Sequence, residues 1–372
     1  MHILFAAGGT AGHINPAISV AQYIRKQHHD AVISFIGNKN GMESSLVPKA
    51  GFDFYSINVA GFQRKLTMTN IKRNISAVIK VLKSSSDCEK LLQELKPDVV
   101  VGTGGYVSGP VLRKAAKMGI KTAAHEQNAF PGITTKMLCK SVDKVMLAFE
   151  DAKKHIKTDR EFIVTGNPVR QSLIDADRET SRQKLGLDER PMILSYGGSL
   201  GARRVNEAIA DVLKWHAASG KYYHFHAIGK YGGFLYELLD EAGVVYQNSR
   251  TIRIREYIDD MDICMSAADV VIARAGAITL SELQVTGKAA ILIPSPNVAE
   301  NHQYHNALSI SKKGGAVLIE EKDLTGERLI EELKKLIENP KLIQLMGKKV
   351  QSDAVFDSNE RIYEVIMDLY NT

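Results

Sequence analysis

The sequence predicts an α/β protein of two domains, each a parallel sheet covered by helices on both faces. Three observations carry that expectation. Short apolar runs alternate with longer amphipathic ones along the chain, the pattern of repeated strand–helix units. Apolar runs end in glycine turns at residues 8–12, 102–109, 197–201 and at Gly276. The opening plan of strand, glycine loop and helix recurs from residue 192, after the punctuation Gly166-Asn167-Pro168-Val169-Arg170. A chain of 372 residues is long for one core and suits two.

Residues 2–7 are an almost wholly apolar strand, followed by Gly8, Gly9, Thr10, Ala11, Gly12 and His13. Asn15 reads as an N-cap and Pro16 as the first helical residue. Glycines let backbone approach a ligand, and a helix N-terminus favours an anion; the alternative is a tight strand-to-helix connection without a ligand. The spacing is not the G-x-G-x-x-G of dinucleotide folds. Strands are expected over 31–37, 51–59 and 98–102. A helix over 70–82 carries Ile71, Ile75, Val78, Ile79 and Leu82 on one face, with Lys72 and Arg73 among its basic flanks. That stripe fits a core-packed helix or an interfacial one. A second glycine loop leads to a helix from Val111. Further strands are expected over 122–127, 142–148 and 162–165, the first ending in His125-Glu126-Gln127-Asn128.

After the linker, strands are expected over 192–196, 222–229, 252–258, 268–273 and 289–294. Helices follow over 203–215, from Thr279 and from Glu300, and two or three polar helices close the chain. The two domains are read as facing one cleft. The expected boundaries are 1–166 and 167–350, with 351–372 as a closing helix that packs back toward the first domain.

The totals narrow the class. Hydrophobic residues are 44% and charged residues 24%, as in soluble globular proteins. Net charge of +6 suits anionic partners, but with 7% aromatics and no aromatic–basic interleaving nucleic acid is not expected. Cys88, Cys139 and Cys264 are far apart in no metal or redox spacing, which points to a reducing compartment. The amino terminus enters a strand directly, so no leader is expected. No apolar run approaches the roughly 18 residues that cross a bilayer. Arg203 and Arg204 begin the helix after Gly197–Gly201, making a second anion site by the physics of the first. Glu282 reads either as a solvated helix carboxylate or as an acceptor for ribose hydroxyls. His224 and His226 share one strand face without a third ligand, and the Asp175–Asp177 and Asp260–Asp262 pairs read as turn and cap residues. No metal site is expected.

Eight motifs in order give the chain a specific likeness: GGTAGHINPA at 8–17, GTGGYVSGP at 102–110, HEQN at 125–128, GNPVR at 166–170, GGSLGAR at 197–203, YIDDM at 257–261, RAGAITLSE at 274–282 and ENHQYHNA at 300–307. Together they resemble the MurG family, which moves N-acetylglucosamine from UDP-N-acetylglucosamine to a lipid-linked muramyl-pentapeptide. The resemblance covers essentially the whole chain. It implies two Rossmann-like domains of the GT-B type, an inverting transfer that needs no cofactor and no donor-site metal, and peripheral attachment to the cytoplasmic face of the cell membrane.

By position it implies donor contacts at Thr10, Ala11 and Gly12, at Asn128 and Gln303 on the sugar, and at Arg170 and Ser199 near the diphosphate. The backbone of Ile258 would read the uracil. Ala277, Ile278, Thr279, Leu280, Ser281 and Glu282 would cover phosphate and ribose, with Glu282 on the diol. His13 matches the candidate base. Gly104, Gly105, Tyr106 and Ser108 fall where the acceptor pyrophosphate would bind. The stripe on the 70–82 helix then reads as a docking patch for an anionic membrane. Two positions depart from the family. Ala11 replaces a frequent glycine, so its backbone is expected to avoid positive φ. His302 stands where a glutamine is common. The alternatives are a UDP-N-acetylglucosamine 2-epimerase of the same fold and a non-catalytic sugar-nucleotide sensor.

Overall fold

The computed structural model describes residues 1–57, 86–158 and 160–372. The chain divides into two compact units, Met1–Pro168 with Asp357–Thr372, and Val169–Phe356.

In the first unit β1 (His2–Ala6), α1 (Ala11–Gln27), β2 (Val32–Asn38), α2 (Glu43–Lys49) and β3 (Asp53–Ile57) are followed by a helix, α3, whose described part is 86–95. Then come β4 (Val99–Gly102), α4 (Gly105–Lys117), β5 (Lys121–Glu126), α5 (Ile133–Leu138), β6 (Lys144–Leu147) and β7 (Phe162–Val164). The seven strands form one sheet in the order β3-β2-β1-β4-β5-β6-β7. Every neighbouring pair is parallel. Both faces are covered, so β1 after His2 and all of β4 are apolar rather than alternating. On one face Ile3, Phe5 and Val101 pack with Val20, Ala21 and Ile24 of α1. On the other Leu4, Val100 and Ala124 pack with Val107, Val111 and Leu112 of α4.

The first face is completed from the far end of the chain. In α15 (Ser358–Asn371), Ile362, Val365, Ile366 and Leu369 join the α1 side of the core. Ser19 Oγ donates to Asn359 Oδ1 at 3.1 Å, and His28 Nε2 lies 2.8 Å from the Tyr363 hydroxyl.

The second unit runs α6 (Gln171–Ile174), α7 (Arg178–Leu185), β8 (Met192–Tyr196), α8 (Arg203–Ser219), β9 (Tyr223–Ala227), α9 (Phe234–Glu241), β10 (Ile252–Arg255), α10 (Met261–Ala267), β11 (Val270–Ala273), α11 (Ala277–Thr286), β12 (Ala289–Leu292), α12 (His302–Ser311), β13 (Ala316–Leu318), α13 (Gly326–Ile337) and α14 (Pro340–Gln351). Its six strands order as β10-β9-β8-β11-β12-β13, again all parallel. In each sheet the strand order reverses once, between β1 and β4 and between β8 and β11. All four of those strands end in glycine loops. Ligands of open α/β sheets bind at such reversal points.

Two helices start earlier than the prolines announce. α1 begins at Ala11, not Pro16, and α4 at Gly105, not Val111. Pro16 and Pro110 each lie inside their helix. Pro16 forfeits the bond its missing N–H would make to the carbonyl of Gly12, an exposed residue. The glycine turn, not the proline, launches each helix. As a result His13 lies in the first turn of α1, not at the end of a loop. Ala11 keeps a negative φ, and Gly9 supplies the positive one at 91°.

The three cysteines are buried and free. Burial pushes the thiols of Cys88 and Cys264 up to about 12 and that of Cys139 to about 11. The residues of the expected docking stripe, Ile71, Lys72, Arg73, Ile75, Val78, Ile79 and Leu82, lie outside the described residues.

Candidate functional site

The reversal point of the first sheet is built around one buried carboxylate. Glu43, 1% exposed at the start of α2, accepts from the Asn38 amide at 2.9 Å and the Gly9 amide at 3.3 Å. A Cβ on Gly8 would stand 2.5 Å from its Oε1. The Tyr106 ring lies against Gly9 from the first turn of α4, and Gly105 crosses so close to the Gly8 carbonyl that a Cβ there would be 2.0 Å away. The first glycine loop therefore gives one of its amides to an anion from its own fold. Thr10 and Gly12 stay exposed, and Ala11 partly so.

Ser108 is likewise placed elsewhere than expected. It is 1% exposed, and its hydroxyl bonds the Ala6 carbonyl at 2.6 Å and the Gly104 carbonyl at 2.7 Å. It braces the loop and has no surface to offer an acceptor pyrophosphate. Gly104, Gly105 and Tyr106 remain partly exposed.

His13 is half-buried, with Nδ1 3.0 Å from Gln127 Oε1. Thr103 Oγ1 donates to the His13 carbonyl at 2.7 Å. Behind Gln127 stands His125, buried at the end of β5, with Nε2 2.9 Å from the Gly166 carbonyl. Asn128 is held by Glu126, whose Oε1 accepts from both the Asn128 backbone and side-chain amides at 3.0 Å. The other Glu126 oxygen takes the Gly132 amide and the Thr135 hydroxyl. A carboxylate buried with four donors is satisfied without a cation. HEQN thus contains one candidate ligand contact, Asn128, and three residues that set its neighbours. The sequence signalled the polar run but not this division.

The second unit holds a cavity of about 530 Å³ at its reversal point. It is lined by the glycine loop (Gly197, Gly198, Gly201), by Arg203, Arg204 and Arg274, and by Thr279 and Gln303. The loop is rigid: Lys230 and Tyr231 donate their amides to the Ser199 and Leu200 carbonyls at 3.0 and 3.1 Å. Gly201 (φ +83°) passes so near the Ile228 carbonyl that a Cβ would stand 2.3 Å from it. At Gly198 (φ +94°) nothing lies within 4 Å of that position. This loop opens onto space, with the N-terminus of α8 behind it. Arg274 donates to the Ile293 and Pro294 carbonyls at 3.1 and 3.2 Å and pairs with Glu321. Tyr196, 7% exposed, also lines the cavity, and burial raises its phenol. Tyr196, Arg274 and Glu321 were not singled out from the sequence; the end of an apolar strand was the signal available for Tyr196.

Glu282 lies one turn along α11 from Thr279, on the same face. Desolvation raises its carboxyl to about 7, against a lowering by the nearby Arg170. It is neither a freely solvated helix carboxylate nor a fully ionised one at neutral pH. Within α11, Ala277, Leu280 and Ser281 are buried, with Ser281 Oγ bonding the Ala277 carbonyl; Ile278, Thr279 and Glu282 keep some exposure. Ser199 is exposed but does not line the cavity. Ile258 is buried beyond β10. Gln303 accepts from the Ser295 amide at 2.9 Å. Just before it Glu300 and Asn301 take left-handed conformations (φ 52° and 51°), a costly backbone at a site edge.

His224 and His226 do share a face, but it is the core. Both lie 2.7 Å from Ser195 Oγ, and His216 of α8 completes a fully buried cluster. Burial holds all three below the usual range, His216 and His226 at about 4. Among the described residues no group of three His, Cys, Asp or Glu is placed to hold a metal ion, and no helix is long and apolar enough to cross a membrane.

Comparison with known proteins follows the same division. The glycosyltransferase family 28 N-terminal domain matches residues 3–147 and the family's C-terminal domain residues 192–362. A UDP-N-acetylglucosamine–N-acetylmuramyl-(pentapeptide) pyrophosphoryl-undecaprenol N-acetylglucosamine transferase from Acetivibrio thermocellus is 42% identical over 99% of this chain and 98% of its own. The crystal structure of Acinetobacter baumannii MurG superposes with a TM-score of 0.78 at 29% identity, covering 99% of each chain. A UDP-GlcNAc 2-epimerase from Neisseria meningitidis, bound to UDP-GlcNAc, reaches 0.64 at 16% identity over 99% of this chain and 100% of its own, a likeness of fold alone. With two parallel α/β units, reversal-point loops in each and this near-full-length identity, the chain has the GT-B fold and belongs to the MurG family of N-acetylglucosaminyltransferases.

Proposed function

We propose that this enzyme transfers N-acetylglucosamine from UDP-N-acetylglucosamine to the 4-hydroxyl of an undecaprenyl-pyrophosphoryl N-acetylmuramyl-pentapeptide, with inversion, in peptidoglycan synthesis. The observation that carries the reading is the 42% identity over nearly the whole chain to a transferase so named. The geometry supports it. An alcohol is a poor nucleophile, and His13, in the first turn of α1, is of the residue type that most often takes such a proton. Charge grows on the leaving β-phosphate. The α8 N-terminus and the open loop at Gly198 offer positive potential to that charge, with Arg203, Arg204 and Arg274 close by and paired to Glu207 and Glu321.

In this reading Glu282 accepts from the ribose diol, Ile258 meets the uracil through its backbone, and Asn128 and Gln303 contact the sugar. Arg170, beside Glu282, serves the diphosphate, and Thr10, Ala11 and Gly12 approach the donor through backbone. Gly104, Gly105 and Tyr106 face the acceptor pyrophosphate, with Ser108 as their brace. Attachment to the cytoplasmic face of the cell membrane is peripheral. On α5, Met137 (64% exposed) and Ile133 (48% exposed) lie beside Lys136 and Lys140, an apolar pair with basic neighbours that suits an anionic bilayer surface.

Incubation with UDP-N-acetylglucosamine and a short-chain lipid-linked acceptor tests the reaction. Disaccharide product is expected. Epimerised donor, or binding without product, would replace the reading by an epimerase or a sensor. Sedimentation with anionic vesicles tests the membrane reading: binding falls with salt, and falls further in Ile133→Asp with Met137→Asp.

A further inference from the structure

The first unit contains a line of hydrogen bonds whose direction is fixed from its far end. The Gly166 carbonyl only accepts, so His125 Nε2, 2.9 Å away, carries a proton. Burial pushes the His125 pKa down and keeps the ring neutral, which leaves Nδ1 as a bare lone pair. Gln127 Nε2 stands 3.1 Å from that nitrogen and also faces the Thr103 and His125 carbonyls. With three acceptors around it, this end of the amide must be the NH2 group. The other end, Oε1, is then the oxygen that lies 3.0 Å from His13 Nδ1. An amide oxygen only accepts, so the ring proton of neutral His13 sits on Nδ1 and Nε2 is bare. Gly104 keeps the bond clear: its φ is +104°, and a Cβ there would stand 2.7 Å from His13 Nδ1.

We propose that Gln127, aligned by neutral His125, is the positioning residue of the transfer: it holds His13 as the Nδ1–H tautomer, so that Nε2 receives the proton of the acceptor hydroxyl. This rests on the reading of His13 as the base. In the step, the hydroxyl proton passes to Nε2 and the oxygen forms its bond to the anomeric carbon. The bond from that carbon to the β-phosphate oxygen breaks, and its electron pair leaves with UDP. The imidazolium keeps donating through Nδ1 to Gln127 Oε1, an acceptor already in place. The opposite tautomer would present N–H to the hydroxyl and could not take its proton.

The test is the ring-nitrogen spectrum of the full chain labelled with ¹⁵N-histidine, His13 being assigned by the signals lost in His13→Gln. The long-range ¹H–¹⁵N pattern of neutral His13 is expected to be Nδ1–H, and that of His125 Nε2–H. Gln127→Met removes both ends of the amide. It should let His13 populate the Nε2–H form and lower kcat by about tenfold, less than loss of a base, with UDP affinity unchanged. An Nε2–H pattern for His13 in the unaltered protein overturns the proposal, even where His13→Ala abolishes turnover. That spectrum decides alone should Gln127→Met fail to fold. An unchanged kcat in a folded Gln127→Met protein also overturns it. Full turnover by His13→Ala instead overturns the base assignment itself, whatever the tautomer.

Discussion

The two glycine loops after β1 and β8 share strand, positive-φ glycine and helix, yet they end in opposite electrostatics. At Gly9 the amide is occupied by the Glu43 carboxylate, and Tyr106 closes the other side. At Gly198 nothing approaches, and the loop faces a cavity with three arginines on its walls. The backbone motif is one; what fills it differs. A glycine loop therefore specifies how closely something can come, and the rest of the fold decides whether that is a ligand or a side chain. In the proposed reading the first loop sets His13 and brings backbone toward the donor, and the second receives the diphosphate.

The largest effect that separates the loops is on chemistry. His13→Ala should lower kcat by about 10²–10⁴ while leaving UDP affinity nearly unchanged. Weaker UDP binding with kcat intact would make His13 itself a donor-binding residue and erase the contrast. Placing a carboxylate in the second loop should have the reverse effect. Ser199→Glu adds an anion to an exposed position on a rigid turn. Repulsion across roughly 6 Å at intermediate dielectric is worth on the order of 1.4 kcal/mol, about tenfold in UDP dissociation constant by calorimetry.

Glu282 sharpens the comparison through pH. Desolvation raises its folded pKa to about 7 from an ordinary 4.5. The sign for stability is that the protonated form is favoured on folding. That contribution is whole below about pH 4.5 and is lost as pH rises through about 7. For binding the sign reverses, because ribose hydroxyls donate to the ionised carboxylate. UDP should bind about tenfold tighter at pH 8 than at pH 6 through this group. The terminal phosphate of UDP titrates near 6 in any protein, so the relevant quantity is the difference from Glu282→Gln. Equal pH slopes for the two proteins would remove Glu282 from the ribose. The smallest effect on ligand binding belongs to Glu43→Gln. It should leave UDP affinity where it was and cost about 1–3 kcal/mol of stability by chemical denaturation, since an amide cannot accept from both Gly9 and Asn38 as a carboxylate does.

What was legible in the sequence follows the range of the forces involved. Strand β1 and the glycines after it are written in neighbouring residues, and so is the repeat of the plan at β8. The starts of α1 and α4 were misread because Pro16 and Pro110 are local signals overridden by the turn before them. Glu43 could not be matched to Gly9, nor His216 to His224 and His226, because only the packed fold brings those residues together. Among the site residues, Glu282 and His13 were visible by type and spacing. Tyr196 and Arg274 were not, since one reads as the end of a core strand and the other as a polar residue in a turn.

The sixteenth-from-last residue onward belongs to the first unit, and this bears on the order in which the protein can be made. The apolar face of α1 waits for Ile362, Val365, Ile366 and Leu369. Between them the ribosome makes all of Val169–Phe356, a contiguous unit with its own core. At roughly 5–20 residues per second that interval lasts on the order of ten seconds or more. The unit begun first is thus completed only after the second has been made, and its α1 face stays uncovered until α15 has left the exit tunnel.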